Sequence, residues 1–198
     1  MKIKLTLSHL ILKTILLVIL AAKAVTLVTT LAALLRNPRL AWRCFLGRYR
    51  FDRRQPHGVL QLLSRFIWEA PQLWVGYNYS QLRILLKQVT RVDYFGGSVF
   101  ITTEGWRQGL YMGISLGCCI NVWTSKQLQG DFDEYVVQND PYDLYKHEYG
   151  HTFDSLLFGP LYLPVVGVVS GLGCVFSKNQ QHLWTERSAN RHARKYFA

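Results

Sequence analysis

The sequence predicts an α+β protein: an N-terminal membrane helix, a small antiparallel sheet, and two later helices that carry most of the reactive side chains. Three observations lead there. Thr14–Leu35 is a run of 22 residues broken by one charge, Lys23. From Leu82 to Trp123 the chain is rich in Val, Ile, Tyr, Phe and Thr, punctuated by glycines, as short strands and tight turns require. On both sides of that block apolar residues recur at helical spacing. Hydrophobic residues make up 49% of the 198-residue chain, which excludes a disordered protein.

A helix over Thr14–Leu35 rises about 33 Å, enough to cross a hydrocarbon core. The net charge of +11 is concentrated beside it. Residues 1–54 hold eleven Lys/Arg and one acid, Asp52, so they carry +10 and leave +1 for residues 55–198. That distribution argues against a nucleic-acid-binding domain. Arg36, Arg39, Arg43, Arg48, Arg50, Arg53 and Arg54 follow the run and by the positive-inside rule put its C-terminal end in the cytoplasm. A signal peptide has a shorter apolar core and a cleavage site. An interfacial helix is the other alternative, and Lys23 favours it unless that lysine snorkels or faces another helix. Trp42, Phe45, Tyr49 and Phe51, set among the arginines, suit a lipid headgroup layer better than stacked bases. Residues 1–54 therefore read as a membrane anchor with a basic flank, with the lipid bilayer as partner. Residues 55–198 read as one domain. Cys44, Cys118, Cys119 and Cys174 have no metal-knuckle spacing and read as buried or reduced thiols.

Gly58–Ala70 has apolar residues at helical spacing and meets Pro71 at its end. Ser98–Thr103 is a strand between turns at Gly96-Gly97 and Glu104-Gly105, and Gly109–Trp123 supplies one or two more strands. The next helix has marked ends: Asp140 as N-cap, Pro141 in the first turn, Asp143 against the dipole, Gly159-Pro160 as terminator. It runs Pro141–Phe158. His182–Phe197 reads as the last helix.

The helix over Pro141–Phe158 contains "HEYGH". His147 and His151, four apart, lie on one face and can aim imidazole nitrogens at one point, as a zinc ion needs. Glu148, one residue round, is displaced from that face and suits a general base. Six histidines and five glutamates give this pattern by chance roughly 0.005 times per sequence of this composition. A catalytic zinc site needs a third protein ligand. Asp154, His182, Glu186 and His192 are the candidates, Asp154 being strained on the same helix. Glu186 and Asn190 share a face of the last helix, and Ala189 and Ala193 permit close packing there. Gly150, inside the motif helix, suggests close approach of a neighbouring backbone such as a sheet edge. Tyr149 reads as packing.

The motif followed by a helical E-x-x-x-N resembles the gluzincin branch of zinc metallopeptidases, whose pattern is H-E-x-x-H and then E-x-x-x-D. The resemblance implies a zincin-like fold, His147, His151 and Glu186 as ligands of Zn2+, Glu148 as base, and a peptide or protein substrate. Asn190 departs from the family's Asp: an amide accepts an imidazole N–H but brings no charge. No histidine stands six after His151, so the metzincin extension is absent. The C-terminal third also resembles an uncharacterised group of small bacterial membrane-associated proteins carrying HEYGH, which implies a bacterial inner membrane.

The insert Ser155–Ser177 has no charge and is long enough to span. A straight span would carry Glu186 about 30 Å from His151, too far for one ion. Its glycines and prolines favour a segment that breaks and returns, either dipping into the bilayer or resting on it. The alternative is a buried core segment. An extended substrate is expected along a strand near Gly113–Gly117, and His182, His192 and Arg187 are the candidate oxyanion donors. The rival to a peptidase is a non-enzymatic membrane protein whose zinc only ties two helices together.

Overall fold

The computed structural model describes residues 2–54, 57–108, 111–139, 144–176 and 182–198. Helix α1 (Lys2–Arg36) is followed by α2 (Pro38–Gly47), α3 (Gly58–Ile67) and α4 (Ala70–Leu85). Four strands come next: β1 (Arg91–Phe95), β2 (Ser98–Thr103), β3 (Met112–Leu116) and β4 (Cys119–Trp123). The chain ends in α5 (Phe132–Glu134), α6 (Leu144–Phe158), α7 (Val168–Phe176) and α8 (Trp184–Phe197). The class is α+β, as the sequence predicts, and α1 is long and apolar enough over His9–Arg36 to cross a membrane.

The sheet corrects one expectation. Its order is β1-β2-β4-β3, with β1–β2 and β3–β4 antiparallel but β2–β4 parallel, so it is mixed rather than antiparallel. The reason is burial. Strand β4 is buried at every position, whereas β3 has Met112 and Ile114 exposed. The β3–β4 hairpin, turning at Gly117 with φ +62°, therefore puts β4 inside and leaves β3 at the edge. The expected strand Ser98–Thr103 and the positive-φ turns at Gly96-Gly97 and Gly105 are present.

The helical reading needs two further corrections. The helix predicted over Gly58–Ala70 stops at Ile67, and Pro71 begins a new helix rather than ending one. Proline fits a first turn, where its missing N–H has no partner to lose. Residues 82–85 belong to α4, not to the strand block. The motif helix is seen from Leu144 and ends at Gly159, φ +52°, as expected. Its predicted start at Asp140, Pro141 and Asp143 lies outside the described residues.

Helices cover both faces of the sheet. Val99, Ile101 and Cys119 point to one side, against Ala33, Ala41, Cys44, Leu73 and Tyr77 of α1, α2 and α4. Phe100, Ile120 and Val122 point to the other, against Tyr145 and Tyr149 of α6. This alternation of neighbours between two apolar layers lays α6 across the sheet. Helix α8 packs on α6 with little room: a Cβ at Gly150 would lie 2.8 Å from the carbonyl carbon of Ala189. The close neighbour of Gly150 is thus a helix backbone, not a sheet edge.

Candidate metal centre

The contact between α6 and α8 brings three side chains together. His147 Nε2 is 3.1 Å from Glu186 Oε2, and His151 Nε2 is 3.8 Å from the same oxygen. The ligand atoms of His147, His151 and Glu186 lie within 4.8 Å of one another, and the group could hold a metal ion. Tetrahedral bonds of about 2.0–2.1 Å put ligand atoms roughly 3.3 Å apart, close to both separations. His151 and Glu186 are buried and His147 is half-buried, so one edge of the cluster is open.

The hydrogen bonding around the two rings fits a cation. His147 Nδ1 is 2.9 Å from Asn190 Oδ1. His151 Nδ1 is 3.3 Å from Asp154 Oδ2, a long contact in which neither atom has another hydrogen-bond partner. The His147 ring thus has an acceptor at both nitrogens, and the His151 ring has a carboxylate oxygen within 3.8 Å of each. A neutral imidazole has one N–H, so one nitrogen lone pair must face an oxygen unless a proton or a metal ion intervenes. With Nδ1–H donated outward to Asn190 or Asp154, both Nε2 lone pairs and the Glu186 carboxylate are left facing one another, which is the arrangement of a metal site with its supporting shell.

The titration of the group carries the same information. Burial alone would lower the His151 pKa, but Asp154 and Glu186 outweigh it and raise the pKa to about 10. Burial likewise opposes the charged form of His147, and Glu186 and Glu148 reverse the shift upward. Burial would raise the Glu186 pKa, yet His147 and His151 hold it well below the usual carboxylate range. The pocket therefore favours positive charge between these groups.

The other candidates take different places. Asp154 is fully buried, sits behind His151, and accepts a hydrogen bond from Ser188 Oγ at 2.7 Å. His192 Nε2 lies 3.5 Å from Asp154, its ring stacked on Phe153. His182 and Arg187 are exposed. Among the described residues the metal-capable cluster is His147, His151 and Glu186. Glu186 is fixed by Ser170 Oγ, which donates to Oε1 at 2.7 Å from α7, so the apolar insert reaches the centre. Ser170 could not be found from the motif, since its link to Glu186 depends on how the insert folds.

Glu148 turns away from the histidine face toward β3. Ser115 Oγ donates to Glu148 Oε2 at 2.7 Å, and Gly113 lies flat against the same side chain, with no room for a Cβ. The edge strand thus runs over the predicted base within the stretch Gly113–Gly117. Tyr162 OH donates to the Ser115 carbonyl at 2.8 Å and holds the strand to the insert. Tyr149 donates to the Gly96 carbonyl at 2.9 Å and packs in the core.

No protein-family model, curated protein or solved structure matches this chain. The likeness to gluzincins therefore rests on the sequence motif alone.

Proposed function

We propose that the protein is a membrane-associated zinc metallopeptidase, with His147, His151 and Glu186 holding the ion and Glu148 as general base. One observation carries this reading. Two histidines of an H-E-x-x-H helix and a glutamate from a crossing helix face one another with acceptors behind both rings, while the motif glutamate stands apart with its own partner. Two imidazoles and one carboxylate are a donor set that zinc favours in catalytic sites.

A zinc ion bound there would supply Lewis acidity toward a scissile carbonyl and toward water. Asn190 and Asp154 hold the tautomers that leave each Nε2 free to ligate. Ser115 orients the Glu148 carboxylate, leaving one oxygen to take a proton and return it to the leaving amine. The exposed edge of β3 offers backbone groups to an extended peptide beside that carboxylate. Helix α1 anchors the domain in a bilayer, with its arginine flank on the cytoplasmic side.

Two measurements test the proposal. Purified protein should carry close to one equivalent of zinc, and His147→Ala, His151→Ala or Glu186→Ala should lose most of it. Glu148→Gln should keep its zinc and fold but lose about 10²-fold or more of proteolytic activity, the scale of one general base. Autolysis and proteome-wide cleavage in membranes are practical readouts. Equal cleavage by wild type and Glu148→Gln would leave a structural zinc protein instead.

A further inference from the structure

Helix α3 is built inside out. Its apolar residues Val59, Leu60, Leu63, Phe66 and Ile67 are exposed, Ile67 at 79%. Its polar side faces the protein: Arg65 is buried with its guanidinium on the Arg50 carbonyl, and Ser64 Oγ donates to Glu69 at 3.2 Å. A water-facing helix has the reverse pattern.

Where α3 ends, it meets the elbow of the apolar insert. Trp68 Nε1 donates to the Leu156 carbonyl at 3.0 Å, and Gly159 lies against the Trp68 indole. The chain bends by 117° between Leu144–Leu161 and Leu163–Cys174, so the insert breaks and returns. At that elbow Leu157 and Leu161 are 65% and 60% exposed.

The depth of this corner can be read against α1. Trp74 Nε1 donates to the Ala22 carbonyl, Asn78 Nδ2 to Thr26 Oγ1 and Thr29 Oγ1 to Asn78 Oδ1, and the Thr30 and Tyr77 hydroxyls share a hydrogen bond, so α4 runs parallel to α1 at an offset of 47 to 52 residues. By that offset Ala70, the first residue of α4, stands level with the stretch of α1 from Val18 to Lys23 (70 − 52 = 18, 70 − 47 = 23). The corner of Ile67, Trp68, Leu157 and Leu161, just before the start of α4 or in contact with it, therefore stands at about the level of the apolar stretch of α1 that ends at Lys23. That stretch is exposed from Lys13 to Ala21.

We infer that the bilayer that takes up α1 also covers the outer face of α3 and the α6–α7 elbow, giving the domain a second lipid contact beside the metal centre. Two features select lipid as the occupant. The patch stands at the same level as the exposed apolar surface of the candidate span. The helix that forms it is inverted in polarity, as an amphipathic helix at a membrane surface is. His151 lies six residues before Leu157 on α6, so its backbone is about 9 Å along the helix from lipid.

Depth-dependent quenching in the full chain tests this. Cys174→Ser removes the exposed native thiol, leaving Cys44, Cys118 and Cys119 buried. In that background Ile67→Cys, Leu157→Cys and, as a control on the exposed loop after β4, Gln129→Cys are labelled with an environment-sensitive fluorophore. All three side chains are exposed, so the fold should survive, and circular dichroism checks it. The proteins are reconstituted into phosphatidylcholine–phosphatidylglycerol vesicles with nitroxide-labelled lipid. Probes at 67 and 157 should be blue-shifted and quenched about twofold or more, as insertion ~5–10 Å into the acyl boundary requires, while the probe at 129 stays unquenched. Quenching at 67 or 157 no stronger than at 129 overturns the inference. Self-quenching that rises with protein density, without lipid quenching, also overturns it and assigns the face to a second copy of the chain.

Discussion

Gly150→Ala tests whether the closeness of α6 and α8 makes the metal centre. The added Cβ would lie 2.8 Å from the carbonyl carbon of Ala189 and closer still to its oxygen. These are backbone atoms of a buried helix and cannot rotate away. Carbon atoms rest at about 3.5–4.0 Å, so the helices must separate by at least ~0.7 Å. Glu186 lies one turn from Ala189 and moves with it. The distance from His151 Nε2 to Glu186 Oε2, now 3.8 Å, would grow to roughly 4.5 Å, well beyond the ~3.3 Å edge of a tetrahedral site. We expect metal affinity to fall by 10-fold or more, the lower end of what disturbed supporting shells cost, and overpacking to reduce stability by about 1–3 kcal/mol. Competition against a chromophoric chelator reads the first and thermal unfolding of the metal-free protein the second. Gly171→Ala is the control: nothing lies within 4 Å of its Cβ, and alanine should be neutral or stabilise α7 by up to about 1 kcal/mol. Wild-type metal affinity in folded Gly150→Ala protein would refute the geometric argument.

Gly113→Ala should act on the base alone: its Cβ would overlap the Glu148 side chain, so proteolysis should fall about 10-fold or more while metal content is unchanged, read by activity and metal analysis together. Asn190→Asp restores a charge behind His147 and should tighten metal binding by about 10-fold, checked by chelator competition. Metal binding should also depend on pH with a defined sign. The His151 pKa is raised to about 10 in the metal-free site, so below that pH a proton competes with the ion. Affinity should rise with pH up to about 10, and calorimetry in buffers of different ionisation enthalpy should show proton release near neutrality.

The site was more legible in the sequence than the sheet was. The i, i+4 spacing of His147 and His151 fixes their common face through helix geometry alone, and Glu186 with Asn190 repeats that logic on α8. Gly150 signalled a close backbone, but its partner depended on which element crosses α6, a tertiary fact. The parallel β2–β4 pairing was hidden for the same reason. Strand runs of similar composition do not state their order, and only the greater exposure of β3 puts it outside β4. Pro71 was misread because proline both follows helices and begins them. Ser115 and Ser170, which hold Glu148 and Glu186, carry no local signal: a serine becomes a carboxylate's partner only when the fold brings the two together.

These two serines also bear on whether the centre is catalytic or structural. A structural ion is served by closed coordination, and a fourth protein ligand would be expected where the cluster is open. Glu148 is adjacent in sequence to His147 and buried, yet its Oε2 is held by Ser115 at 2.7 Å rather than turned into the cluster. A buried carboxylate is costly unless it is hydrogen-bonded, and one serine satisfies only part of its acceptor capacity. The other oxygen, Oε1, lies under the edge of β3 against Gly113. A chain that needed only to tie α6 to α8 could place alanine at 148 and avoid that cost. The buried carboxylate, cleared by Gly113 and held by Ser115, is the group the proposed peptidase would use to move protons, and its charge also favours a cation beside the two histidines.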